Sequence, residues 1–320
     1  MKGIERPNIL KTAGKRLGAL LAVLCLIFMT AGCGGTSKDE KLVYYLNHNG
    51  ATSTFNEQLF ASFKNKAESE GLKVESRDAK GDSSLQIDQF KEALNNGAGE
   101  IVVLAMDEDA LVPFIQQAHE QGVFVTRLNR EVNDKEVYGA ISDDREAGRM
   151  QGEYMAKNLP PGANIVYLLG ESANKGAQDR YEGFKEACLS KRSDVTLLDT
   201  YDAGWSEANA LKIMSLWLKL YPKIDGVVGC NDDMALGAIR ALKDAGRMDG
   251  VLVTGVDATD AALKALQEGT LGQTVKQDAV GQGEGAVAMI LSFIQGNTPT
   301  DNTIVPYQSI TKENIAQFVH

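Results

Sequence analysis

The chain has 320 residues, of which 43% are hydrophobic and 24% are charged, and its formal net charge is −10. An acidic chain is repelled by a phosphate backbone, so this balance argues against nucleic acid as a partner. The length favours two domains over one, and four cysteines are too few for a disulfide framework.

The N-terminal segment is typical of an export signal. Residues 2–16 carry an excess of basic side chains, residues 17–29 are apolar, and small residues precede Cys33. The apolar stretch is shorter than the roughly 20 residues that a transmembrane helix needs. We therefore predict a signal peptide over residues 1–32 and a flexible tether over residues 33–40.

Cys33 gives this signal a second interpretation. Ala31-Gly32-Cys33 resembles the lipobox of bacterial lipoproteins, which implies that Cys33 is acylated and becomes the new N-terminus. The alternative is an ordinary signal peptide with an incidental cysteine. With acylation, the protein would be exported and anchored by lipid, facing the periplasm or the cell exterior.

Short apolar runs alternate with amphipathic stretches along the rest of the chain. We predict strands at residues 42–46, 72–75, 101–105, 123–128, 165–169, 195–198, 227–230, 251–256 and 271–275. Helices are predicted at residues 55–70, 84–95, 109–121, 146–158, 206–220 and 232–245, several of them followed by glycine. The nearly continuous hydrophobicity of the strands is typical of parallel strands that are covered on both faces. The pattern predicts an α/β fold with four or five parallel strands in each of two lobes, although one large sheet would also accommodate them.

Two cysteines, Cys188 and Cys230, remain beyond the signal. Both fall on apolar segments, so we expect buried free thiols. A bridge between them is the alternative, because an oxidising compartment would permit it.

Polar side chains follow the predicted strands at the point where each strand ends. Because open parallel sheets bind ligands beyond the carboxyl ends of their strands, these residues are candidates for a binding site. They are Asn129, Arg130, Arg180, Trp205, Asn231, Asp257 and Gln277. Planar amide, carboxylate and guanidinium groups suit vicinal hydroxyls, and an aromatic face such as Trp205 or Phe55 suits the C–H face of a sugar ring.

Each candidate also has a structural interpretation. Asn231 and Asp257 could be helix N-caps, Arg180 could form a surface salt bridge, and Trp205 could belong to the core. Their common place at strand ends is what favours a shared binding site.

Five segments then carry a resemblance to a known family. They are residues 128–130 (LNR), 179–184 (DRYEGF), 231–238 (NDDMALGA), 255–259 (GVDAT) and 274–279 (TVKQDA). In this order they resemble the periplasmic sugar-binding proteins of the ribose, galactose and inositol group, over nearly the whole chain from residue 42. The resemblance implies that Arg180, Asn231 and Asp257 contact ligand hydroxyls.

The other site residues follow from the same resemblance. Asn129 and Arg130 would match the family's polar pair, Trp205 its stacking aromatic, and Phe55 the aromatic that sandwiches the ring. Gln277 would be an amide close to a hinge crossing.

The resemblance also implies the architecture, that of a type I periplasmic binding protein. Two Rossmann-like lobes would be joined by three crossings near residues 142–143, 277–278 and 302–303. The N-terminal lobe would comprise residues 41–142 and 278–302, and the C-terminal lobe residues 143–277 and 303–320. Ligand would bridge the lobes and favour their closure.

The implied function is solute binding for an ABC importer, with a permease and its ATPase as partners. We expect a monomer that contacts the membrane only through its lipid anchor and binds neither nucleic acid nor a cofactor.

The ligand would be a monosaccharide or cyclic polyol, with an inositol-like ring first and an aldohexose or pentose next. Galactose-binding members carry a calcium loop at the position of residues 159–164. In this chain these residues include no carboxylate, so no metal site is expected. Presentation of the closed lobes to a chemoreceptor or sensor kinase is the alternative output.

Two rival functions fit less well. An enzyme would need a catalytic set, but His48, His119 and His320 have no metal-binding spacing, and we find no nucleophile or phosphate-binding motif. Of these three, His48 could donate a hydrogen bond to a ligand from the loop after the first strand. A transcriptional regulator of the same fold would need a helix-turn-helix where residues 1–40 form an export signal.

Overall fold

The computed structural model describes residues 39–50 and 53–319. The predicted signal peptide and Cys33 lie outside the described residues, as does the tether up to residue 38. Within the described ranges, no helix combines the length and the apolar composition that a membrane crossing requires.

Two six-stranded sheets form the framework of the chain. The first, in the order β11-β5-β4-β3-β1-β2, is parallel throughout. Its strands are β1 (Asp39–Asn47), β2 (Lys73–Asp78), β3 (Ala98–Val103), β4 (Phe124–Leu128), β5 (Gly139–Ile141) and β11 (Thr303–Ile304).

The second sheet has the order β12-β10-β9-β8-β6-β7 and is parallel except for its last strand in sequence, which runs antiparallel to β10. Its strands are β6 (Asn164–Leu169), β7 (Thr196–Asp202), β8 (Gly226–Gly229), β9 (Leu252–Val256), β10 (Gln273–Lys276) and β12 (Gln308–Thr311).

Helices cover both faces of each sheet. The first sheet carries α1 (Thr54–Ser69), α2 (Ser83–Asn95), α3 (Val112–Glu120) and α9 (Ala279–Ile294). The second carries α4 (Asp144–Asn158), α5 (Lys175–Phe184), α6 (Glu207–Leu220), α7 (Asp232–Asp244) and α8 (Asp260–Glu268). We call these units the first lobe and the second lobe. The predicted α/β fold with two parallel sheets is therefore confirmed.

Strand β1 shows why the apolar runs are nearly continuous. Val43 and Tyr45 pack into the cluster on the α1 and α9 side of the sheet, whereas Tyr44 and Leu46 pack into the cluster on the other side. Successive side chains of a strand point to opposite faces, so a strand covered on both faces needs apolar residues at every position.

The structure corrects two predicted boundaries. Strand β1 begins at Asp39, whose N–H donates to the carbonyl of Gly97 at 2.9 Å, so the last residues of the predicted tether belong to the sheet. The third crossing was placed at residues 302–303, but β11 pairs with β5 in the first sheet. That crossing lies between Ile304 and Gln308.

Cys188 and Cys230 are free and buried, as the sequence indicated. Burial is the main reason that the pKa of each thiol is raised to about 11. The alternative of a bridge between them is wrong for this structure.

Candidate functional site

A cavity of about 280 Å³ lies between the two lobes, at the carboxyl ends of both sheets. This volume is near the lower end of the range for small-molecule pockets, which suits a compact ligand. All eight residues singled out in the sequence line it, namely Phe55, Asn129, Arg130, Arg180, Trp205, Asn231, Asp257 and Gln277. The structure thus brings them together, and their contact with a ligand stays a prediction.

Arg180, on α5, is buried at the centre of the site. Its Nε donates to Asp144 Oδ1 at 2.7 Å, and Nη1 donates to the carbonyl of Cys230 at 2.7 Å. Nη2 donates to Gln277 Oε1 at 2.9 Å and to the Tyr307 hydroxyl at 3.0 Å. The alternative of a surface salt bridge is wrong, because the ion pair with Asp144 is buried.

The three partners Asp144, Gln277 and Tyr307 come from three different connections between the lobes. Asp144 begins α4 just after β5, Gln277 follows β10, and Tyr307 lies between β11 and β12. The Tyr307 hydroxyl also donates to Asp144 Oδ1 at 2.7 Å. One guanidinium therefore contacts a residue from each of the three crossings.

Close packing of α4 against α5 fixes the position of Arg180. A Cβ atom at Gly148 would overlap the carbonyl oxygen of Arg180, and one at Gly183 would overlap that of Arg145. These two glycines allow the helix backbones to approach each other, which places the arginine beside Asp144.

Asp257 follows β9 and is only 7% exposed. Among the described residues, no donor lies within hydrogen-bonding distance of its carboxylate, although Arg180 contributes a favourable charge. Burial raises its pKa well above the ordinary value, and Asp232 and Asp233 act in the same direction. The interpretation as a helix N-cap is wrong, because the Thr259 side chain caps the following helix.

Asn231 combines a structural and a cavity position. Its Oδ1 accepts from the Met234 N–H at 3.0 Å, so the interpretation as the N-cap of α7 is confirmed. The same side chain also lines the cavity, and its Nδ2 approaches the Trp205 carbonyl at 3.5 Å. Asn231 therefore caps α7 and lines the cavity, and its contact with a ligand stays a prediction.

Trp205 presents its indole to the cavity from a backbone with φ of +60°. Its Nε1 is buried and has no hydrogen-bond partner among the described residues, and its ring lies 5.6 Å from the Arg180 guanidinium. A Cβ atom at Gly170 would overlap the indole ring. The loop after β6 therefore needs glycine at this position to admit the ring.

On the first lobe, Asn129 and Arg130 follow β4. Asn129 Nδ2 donates to Gln282 Oε1 at 3.3 Å from a backbone with φ of +64°. Arg130 is buried, and its Nη1 donates to the carbonyl of Ala105 at 3.2 Å. Its Nη2 donates to Glu171 of the second lobe.

His48 also lines the cavity and is 2% exposed. Burial, and then the neighbouring Arg130 guanidinium, holds its pKa well below the usual range. The imidazole is therefore neutral, and its Nδ1 has no partner within the described part of the chain. Neutral imidazole offers one donor and one acceptor, which supports the contact suggested from the sequence.

Among the residues that the sequence analysis did not single out, Asp144, Tyr307 and Asn56 lie in the cavity or contact Arg180. Asp144 follows a strand too short for a hydrophobic pattern, Tyr307 lies in a crossing with no periodicity, and Asn56 lines the cavity from the first turn of α1. A polar side chain directly beside Phe55 was the available signal for Asn56.

We expect Gly170→Ala to displace the Trp205 indole. The backbone at residue 170 tolerates alanine, but the added methyl group occupies space filled by the ring. We expect ligand affinity to fall about tenfold and the free energy of unfolding by about 1–3 kcal/mol, the usual effect of overpacking. Titration calorimetry and urea unfolding would measure both. Gly285→Ala is the matched control, because its Cβ would approach no atom closer than 3.1 Å; equal binding by both variants would contradict the prediction.

Comparison with known proteins identifies the architecture. The family model described as a periplasmic binding protein domain matches residues 43–298. A protein of Rhizobium meliloti named for rhizopine binding is 32% identical over 78% of this chain and 83% of its own. The ribose import binding protein of Escherichia coli (strain K12) is 28% identical over 92% of this chain and 99% of its own.

A solved structure agrees with these relatives. An ABC transporter solute binding protein from Bacillus halodurans C-125, with bound myo-inositol, superimposes with a TM-score of 0.80 at 28% identity. The match covers 89% of this chain and 99% of that one.

Proposed function

Because this chain belongs to the periplasmic binding protein domain family, within its ribose, galactose and inositol group, we propose that its cleft binds a monosaccharide or cyclic polyol, with an inositol-like ring first and an aldohexose or pentose next. Members of this family bind their substrates and do not transform them. The proposed role is delivery of that ligand to the permease of an ABC importer.

The observation that carries the proposal is a set of polar groups that face the cavity without protein partners. Within residues 39–50 and 53–319, the Asp257 carboxylate has no donor, and Trp205 Nε1 and Gln277 Nε2 have no acceptor. Buried polar groups are normally hydrogen-bonded. Ring hydroxyls both donate and accept, so a polyol could supply a donor for Asp257 and acceptors for the two N–H groups.

The shape of the cavity supports a ring rather than a chain. Phe55 belongs to the first lobe and Trp205 to the second, and both aromatic side chains line the same small volume. Two aromatic faces suit the C–H faces of a ring. The myo-inositol bound in the Bacillus halodurans protein and the rhizopine-binding relative favour a cyclitol as the first choice.

A thermal-shift screen of the purified protein tests this function. The panel comprises inositols, hexoses, pentoses and, as controls, amino acids. A ligand present at 100 times its Kd should stabilise the folded state by about 2.7 kcal/mol. We expect one cyclitol to give the largest increase in Tm. Stabilisation by amino acids alone, or by nothing in the panel, would contradict the proposal.

We also propose that acylated Cys33 anchors the exported protein to the membrane, as the lipobox resemblance implies. The anchor would hold the binding domain close to its permease. The intact mass of the mature protein tests this, since a chain that begins with unmodified Cys33 or with another residue would exclude acylation.

A further inference from the structure

Two carboxylates reach across the cleft from the second lobe to the first. Asp233, in the first turn of α7, accepts from the N–H and from Oγ1 of Thr54, each at 3.0 Å. Thr54 is the first residue of α1, so its N–H has no partner within the helix, and a helix N-terminus favours a negative charge. Asp233 thus stabilises a helix of the opposite lobe.

The second carboxylate is Glu171, which follows β6. It accepts a charged hydrogen bond from Arg130, whose side chain is 7% exposed, while that of Glu171 is 25% exposed. Partial burial reduces the screening that makes fully exposed ion pairs weak. This pair and the Asp233–Thr54 contact both join the two lobes.

Both contacts border the cavity, but neither carboxylate lines it. Thr54 directly precedes Phe55, and Asp233 lies two residues beyond Asn231. Any motion that separates the lobes would break both contacts, whereas the side chains that line the cavity could keep their conformations. The two carboxylates therefore join the lobes from outside the cavity lining, although Arg130, the partner of Glu171, lines the cavity.

We propose that Asp233 and Glu171 form an interlobe latch that sets how long the cleft stays closed on its ligand. This inference rests on the proposed function for the existence of a ligand, and it assigns positioning roles to two residues outside the binding cavity. A contact that forms only after closure should slow dissociation and leave the rate of association nearly unchanged.

The test compares Asp233→Asn, Glu171→Gln and the double variant with wild-type protein, using myo-inositol as the probe or the panel member that gives the largest thermal shift. Asp260→Asn is the matched control, because Asp260 is an exposed acid in the first turn of α8 without a contact to the first lobe in the described structure. Stopped-flow fluorescence measures both rates. We expect dissociation to be about tenfold faster in the double variant, with association within about twofold of wild type and the control unchanged.

A dissociation rate in the double variant equal to that of wild type would overturn the latch. So would an association rate that falls by the same factor as the dissociation rate rises. Small-angle X-ray scattering of ligand-free protein separates this result from a failure of the proposed function, because it needs no ligand. If no panel member binds, a larger radius of gyration in the double variant than in wild type and Asp260→Asn would still support the latch. An identical radius would then reject it.

Discussion

Arg180→Met is expected to abolish measurable ligand binding and to lower the free energy of unfolding by about 3–5 kcal/mol. The substitution removes every hydrogen bond of the buried guanidinium, including those to Asp144, Gln277 and the Cys230 carbonyl. Asp144 would keep the Tyr307 hydroxyl but lose its counter-charge. Breaking a buried ion pair is costly because the remaining charge stays desolvated.

Urea unfolding and titration calorimetry measure the two effects of this substitution. Arg180→Lys serves as a second variant in case the methionine protein does not fold, since it keeps the charge but not the fork of donors. We expect it to fold and to lose about 2–4 kcal/mol of binding free energy. Arg149→Met is the control, because Arg149 is an exposed arginine of α4 that pairs with Glu146. Wild-type affinity in Arg180→Lys would contradict the assignment of Arg180 to the binding site.

Asp257→Asn should weaken binding and at the same time stabilise the protein. The amide keeps the size of the side chain but removes a charge, and we expect a loss of about 2–4 kcal/mol of binding free energy. The carboxylate is 7% exposed and has no protein donor among the described residues, so its removal relieves an unfavourable burial.

The stability gain of Asp257→Asn should depend on pH. Burial raises the pKa of Asp257 in the folded protein, so folding favours the protonated form. The contribution of this group to stability is therefore fully present below the pKa of the unfolded chain, about 4, and is lost as pH rises through the folded pKa. The variant should exceed wild type in Tm at neutral pH, and the difference should shrink towards pH 4. Asp249→Asn, at an exposed position, should show neither effect; a pH-independent difference for Asp257→Asn would contradict this account.

The sequence predicted the strand ends well because parallel strands impose a simple pattern. Asp257 and Asn231 each follow an apolar run directly, and both line the cavity. The pattern could not distinguish their local roles. Asn231 caps α7 through Oδ1, whereas Asp257 leaves the capping of the next helix to Thr259. Such details depend on backbone angles, here a φ of +119° at Asp257, that no periodicity reports.

Two of the missed residues, Asp144 and Tyr307, share a physical cause. Strands β5, β11 and β12 are short, and they exist because neighbouring strands pair with them rather than because of their own composition. Asp144 follows β5, and Tyr307 lies between β11 and β12, so no local sequence pattern pointed to either residue. Contacts between sequence-distant residues, such as the hydrogen bond between Tyr307 and Asp144, are set by the packing of the whole fold.

The placement of Arg180 among residues of all three crossings has a consequence for protein design. Its hydrogen bonds to Asp144, Gln277 and Tyr307 link the cavity to all three connections between the lobes, so a substitution of Arg180 would also change the contacts among those connections. Phe55 and Asn129, in contrast, line the cavity without touching that cluster. For the proposed ring-binding cleft, these first-lobe residues are the positions to change in the design of a biosensor, while the arginine and its partners are kept.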